Sequence, residues 1–247
     1  MNKKKILSLA LVLLLICTIS FGTLAWFNAA DEVTNTFYVA DSDDNGTPDF
    51  DINVFEQKYD ENGDIVYVDG KPAFTEEGNS YKDILPGSHL PKAAWFYNDG
   101  DYSQWVRVHV TFSDSAVWQQ AFAKAAAHAS VADWRDYVVE HVLSEPLSGN
   151  YEDNYEVNYN EFGLDTLTFT FYYKDKVAPN TGNIKILSEI VIPNVLEQED
   201  MNYGKDNVPG FTVKIKAEAV QVENLNATTA SEAFEEVGWK IGQAYGE

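Results

Sequence analysis

Cysteine is all but missing: Cys17 is the only one in 247 residues, so the chain cannot close a disulfide on itself or build a Cys-based zinc site. Histidine is nearly as scarce. His89, His109, His128 and His141 are scattered, and none forms the His-Glu-x-x-His pair that places two imidazoles one helical turn apart for zinc. Bases are few, 17 Lys and Arg against 39 Asp and Glu, a net charge of −22. Such a balance offers no basic stripe for nucleic acid phosphates and repels anionic membrane surfaces. No Gly-x-Ser-x-Gly elbow and no phosphate-cradling glycine loop occurs. The carboxylates are too numerous to single out an acid/base couple, so nothing in the sequence speaks for catalysis.

The longest apolar run, residues 6–21, falls short of the ~20 residues a spanning helix needs. It follows Lys3, Lys4 and Lys5 and leads into Gly22-Thr23-Leu24-Ala25. A basic head, an apolar stretch and small residues before a cut make an export signal, with Thr23 and Ala25 preceding the cleaved bond and Trp26 following it. Retention as an anchor is the alternative. Cleavage takes Cys17 and three lysines away and leaves 14 bases against 39 acids, a net −25. The expected organisation is a signal peptide over 1–25, an N-terminal strand segment over 26–40 and one sandwich domain over 41–247. A chain of ~220 residues rich in Val, Ile, Phe, Tyr and Trp can bury a sufficient core without disulfides.

What is abundant is alternation. In residues 33–39, Val33, Phe37 and Val39 share one face. Phe50, Ile52 and Val54 alternate with Asp51 and Asn53, the period-2 mark of a half-buried strand. Turn signals at residues 60–63 and at Asp69-Gly70 bracket Ile65 to Val68, which predicts hairpins. Residues 94–97 precede an Asn98-Asp99-Gly100 turn. Val106, Val108, Val110 and Phe112 then oppose Arg107, His109 and Thr111. Further strands are expected over 167–173, 183–192 and 211–219. A helical insert at about 115–145 interrupts them, its second half opening at Ser130-Val131-Ala132-Asp133 and stopped before Pro146. A short helix over 231–237 lies near the end. Alternating strands without a βαβ rhythm predict an all-β dominated, antiparallel jelly-roll-like sandwich.

One loop carries possible metal chemistry. Asp41, Asp43, Asn45 and Asp49 occupy positions 1, 3, 5 and 9 of a calcium loop, with Gly46 at the bend. Ile52 stands where a bidentate acid belongs, so calcium and a plain acidic turn are both open.

Three stretches resemble the TasA/camelysin family of exported biofilm-matrix proteins. The signal border Gly22-Thr23-Leu24-Ala25-Trp26-Phe27-Asn28, followed by Thr34-Asn35-Thr36-Phe37, is similar to the family's Gly-Thr, small residue, aromatic and strand. Leu85-Pro86-Gly87-Ser88, Trp95, Asn98-Asp99-Gly100 and Val106-Arg107-Val108 resemble its Pro-Gly turn, Asn-x-Gly turn and Arg-bearing strand. Residues 216–221 with Ala233 and Trp239 look like its last strand and closing helix. The clostridial members are the nearest in pattern, and an insertion over about 41–81 sets this chain apart.

The resemblance implies a jelly roll secreted by a Gram-positive bacterium that polymerises with itself, and with other matrix proteins, into extracellular fibres. It also implies that Trp26, Phe27, Val33, Phe37 and Val39 add as a strand to a neighbouring subunit. Each such side chain is worth roughly 1.5–3 kcal/mol when fully buried. The same strand can instead fold into its own sheet. The rival readings are a camelysin-like surface metallopeptidase and an adhesin working through Tyr151, Tyr155 and Tyr159.

Overall fold

Period-2 patterning builds the molecule. The computed structural model describes residues 28–32, 50–60, 63–75, 79, 85–112, 115–144, 154–158, 167–197 and 213–238. Their strands are β1 (Asn28–Glu32), β2 (Asn53–Gln57), β3 (Tyr67–Val68), β4 (Lys71–Pro72), β5 (Phe74–Thr75), β6 (His89–Asn98) and β7 (Gln104–Phe112). β8 (Leu143–Ser144), β9 (Tyr155–Asn158), β10 (Leu167–Tyr173), β11 (Thr181–Val191) and β12 (Val213–Gln221) follow.

Two five-stranded antiparallel sheets result, ordered β1-β12-β7-β10-β9 and β5-β2-β6-β11-β8, with β3 and β4 forming a separate ribbon. The alternation read from the sequence decides which side chains meet. Val106, Val108, Val110, Phe169, Phe171, Ile215 and Ala217 from the first sheet share one buried cluster with Ile52, Val54, Phe96, Ile186 and Ile190 from the second. Two sheets enclosing one apolar layer make a sandwich-like fold.

Helix α1 (Ser115–Ala129) buries Trp118, Ala121, Phe122, Ala125 and Ala126. Their spacing is the i, i+3, i+4, i+7, i+8 stripe of a helix with one apolar face. Phe122 meets Phe112 edge-on at 5.4 Å, so the helix closes one end of the sandwich. Val117 lies only half-buried, and its neighbour Trp118 takes the core position.

The second helical segment does not start at Ser130. Ser130 has φ +61°, its N–H reaches the Ala127 carbonyl at 3.2 Å, and the Val131 N–H reaches the Ala126 carbonyl at 2.9 Å. Those two bonds end α1 with a Schellman motif, so Ser130 closes one helix instead of opening the next. Helix α2 (Trp134–Tyr137) begins behind Asp133, whose carboxylate accepts from the Arg135 N–H at 2.9 Å. A π-helical turn over Val138–Val142 buries Val138, Val139 and Val142 before the chain straightens into β8. Helix α3 (Ala230–Glu236) has Thr229 as its cap and lies over the outer face of the first sheet.

Two turns follow from their residues. Asp69 (φ +50°) and Gly70 (φ +75°) supply the paired positive angles of a tight type I′ hairpin turn joining β3 to β4. β11 is less regular, with register shifts between Gly182 and Ile184, Lys185 and Leu187, and Leu187 and Glu189. Gly182 has φ +148°, and a Cβ there would lie 2.7 Å from the Tyr97 Cα. The backbone angle alone costs a side chain about 1–3 kcal/mol, and the contact is with main chain that cannot step aside. Gly182→Ala is therefore expected to lower the thermal midpoint by several degrees, measured by circular dichroism, whereas Gly70→Ala meets nothing within 4 Å and pays only for its angle.

Of the three tyrosines that an adhesin would present, Tyr151 and Tyr159 lie outside the described residues, and Tyr155 is not available at the surface. It is buried, packs against Phe171 and Tyr173, and its hydroxyl donates to the Lys185 carbonyl at 3.0 Å. That bond ties β9 of one sheet to β11 of the other.

Candidate functional site

β1 occupies an edge. Among the described strands it pairs with β12 alone, in antiparallel register from Asn28 opposite Val220 to Glu32 opposite Lys216. β12 is paired on its other flank with β7 along its whole length. The stretch from Lys216 to Val220 is therefore a five-residue seat whose outer backbone groups are satisfied by the N-terminal strand.

On the outer face of β7, β12 and β10 sits a buried charge cluster. Arg107 and His109 on β7 stand opposite Glu218 and Lys216 on β12. Both the Nε and the Nη2 of Arg107 approach Glu218 Oε2 at 2.6 Å. His109 Nε2 reaches the same oxygen at 3.1 Å, and Lys216 Nζ reaches Oε1 at 2.9 Å. Only Lys216 is substantially open to solvent, with 36% of its side chain exposed. Phe234 of α3 covers the Arg107 guanidinium, whose Cζ lies 4.1 Å from the ring centroid. Trp105, Tyr172 and Val220 complete that apolar lid with Ala230 and Ala233.

The proton positions follow from chemistry. A carboxylate only accepts, so His109 Nε2 carries the hydrogen, and Nδ1, 2.9 Å from Thr170 Oγ1, accepts from that hydroxyl. Burial pushes the His109 imidazole below its ordinary pKa, against the pull of Glu218, and keeps it neutral at pH 7. Burial alone raises Glu218. The hydrogen bond from His109, the charge His109 itself gains in acid, and then the charges of Arg107 and Lys216 outweigh it and hold the carboxyl at about 2.

Hydroxyl, imidazole and carboxylate here connect in the order of a nucleophilic relay. Thr170 is 2% exposed, however, so its hydroxyl is closed to a substrate carbonyl. The cluster's chemistry is to hold: it pins β12 to β7 and seats α3 upon both. A second buried pair, Lys92 Nζ to Glu56 Oε2 at 2.7 Å, does comparable work in the other sheet, with Asn79 donating to Glu56 Oε1 at 2.6 Å.

The residues singled out in the sequence fall elsewhere. Thr23, Ala25, Trp26, Phe27, Val33, Phe37 and Val39, and the loop residues Asp41, Asp43, Asn45 and Asp49, lie outside the described residues. Among the described residues no group of three or more His, Cys, Asp or Glu side chains converges as a metal site requires. His89, His128 and His141 are exposed, and only His109 is drawn into the interior. Sequence reasoning missed the Arg107–Glu218–His109 cluster. The available signal was two basic residues two apart on one strand and a Lys-x-Glu pair on another, all on faces opposite the core residues.

Compared with known proteins, the chain matches no protein-family model, no curated protein and no solved structure. The fold and the site define the class instead: a β-rich sandwich whose edge strand rests on a sheet locked by buried ion pairs.

Proposed function

We propose that this chain is a secreted, non-enzymatic structural subunit of an extracellular matrix fibre, with a jelly-roll sandwich, that polymerises when its N-terminal strand adds to a neighbouring copy. The observation that carries the reading is the place of β1. Asn28 lies three residues beyond the expected cut after Ala25, and the strand it opens sits on a sheet edge, paired among the described strands with β12 alone. Strand addition is interchangeable between copies, because the backbone ladder that receives the segment from its own chain receives the same segment from another. Before cleavage the leader keeps the segment at the membrane, so processing gates assembly. The net charge of −25 left after cleavage keeps free subunits apart until the ladder forms. The resemblance of the signal border and the Arg-bearing strand to the TasA/camelysin family points the same way.

The test removes the strand. Mature protein beginning at Trp26 is expected to form filaments under negative stain, whereas protein lacking residues 26–39 is expected to sediment as a monomer. Filaments from the shortened protein in equal yield would overturn strand addition.

A further inference from the structure

We infer that His109 is an acid-sensitive latch on the seat of the N-terminal strand: a second proton on its imidazole adds charge to a closed cluster and loosens β12, which carries both Glu218 and the edge that β1 occupies. The juxtaposition is geometric. Glu218 is tied to His109 and Arg107 through its side chain, while its backbone lies opposite Ala30 of β1, and Lys216 lies opposite Glu32. Anything that shifts the carboxylate shifts the middle of the seat.

The groups around the imidazole set the direction. From β7 comes Arg107, from β12 come Glu218 and Lys216, and from β10 come the Thr170 hydroxyl and, on the same face opposite Arg107, Tyr172. From α3 the Phe234 ring covers the Arg107 guanidinium beside it, while Glu232 is bound to Thr228 and Glu236 to Asn226. With His109 neutral the cluster carries two positive charges and one negative. With His109 protonated it carries three and one, and of the three cations only Lys216 reaches solvent, Arg107 and His109 being 1% and 6% exposed on their side chains. One carboxylate cannot answer three cations without water, and admitting water means lifting α3 or parting β12 from β7.

The sign is fixed by linkage. A histidine held below its unfolded value of about 6.5 binds fewer protons folded than unfolded. Its contribution is whole above that pH and drains away as the pH falls through 6.5 toward the folded value. Glu218 stays charged throughout this window, because its carboxyl is held at about 2. Over the window the unfolding constant gains at most about tenfold per pH unit from this one group.

The experiment uses the secreted mature protein and its His109→Gln variant. Urea unfolding is followed from pH 4.5 to 8, and the same samples, preassembled, are scored for fibre loss by sedimentation. The wild type is expected to lose stability below pH 6.5 more steeply than the variant, by up to tenfold in the unfolding constant per pH unit. Wild-type fibres should dissolve where the variant's persist. Equal slopes for the two proteins would overturn the latch. A direct reading in the wild type guards against a poorly folded variant: nitrogen-detected NMR should show the Nε2–H tautomer at pH 7, and a His109 titrating at or above 6.5 also overturns it. The fibre arm rests on the proposed assembly. If no fibres form at any pH while the slopes differ, the assembly reading fails and the latch within the subunit stands.

Discussion

Glu218→Gln is expected to cost the folded subunit about 3–5 kcal/mol, the penalty for leaving a buried charge without its partner. Arg107 is 1% exposed on its side chain, and Glu218 is the carboxylate that both its Nε and its Nη2 approach. Removing the negative charge strands the guanidinium beneath Phe234, where water cannot replace it. The measurement is the urea midpoint at pH 7, with the denaturant slope checked for constancy so that the change reads as stability. A control separates the pair from its parts. Arg107→Met with Glu218→Leu removes both charges and keeps the volume, and buried pairs exchanged this way are often neutral or stabilising. The double variant is therefore expected to be far more stable than Glu218→Gln. If the single variant unfolds within about 1 kcal/mol of the wild type, the cluster is not closed to water as described.

Phe122→Ala is the second large effect, again about 3–5 kcal/mol. Phe122 is fully buried, 5.4 Å from the ring centroids of both Phe112 and Trp118. The ring joins α1 to the end of β7, and its loss opens a cavity that the alanines beside it, Ala121, Ala125 and Ala126, are too small to refill. Because α1 has few large side chains on that stripe, amide exchange in residues 115–129 should accelerate more than in β7 or β10. Uniform acceleration across all three elements would show that the helix is an integral part of the folding unit and not a cap on its end.

The strands were legible because alternation is a short-range signal. Val106 to Phe112 and Leu167 to Tyr173 each announce a face without reference to any neighbour. A helix near 115–129 was legible from Phe122 and the alanines around it, although the side chain that anchors it, Trp118, was not singled out. The boundary at Ser130 was not legible: serine is a common opener of helices, and only the two carbonyls behind it at Ala126 and Ala127 decide that it closes one. The π-helical turn has no local signature either. It lets Val138, Val139 and Val142 all turn inward, a demand set by the core and not by propensity.

The candidate site was the least legible part, for a related reason. Arg107 and Glu218 are 111 residues apart, and their meeting depends on which strands become neighbours. A single sequence records that an arginine faces away from the core at Arg107. It does not record that α3 folds over that second face and turns a surface charge into an interior one. Tyr155 was misread in the same way, since its burial depends on β11 passing within reach of its hydroxyl.

The irregularity of β11 gives the molecule a handed rim. Along Thr181 to Ser188 no described strand covers its outer flank, yet three register slips and the Tyr155 hydroxyl on Lys185 leave no straight run of free amides there for a stranger to copy. The flank of β12 that β1 covers keeps an unbroken register over five residues. In the proposed assembly, growth through the edge of β12 makes a fibre whose two tips are chemically unlike, one an open seat and the other a free N-terminal strand.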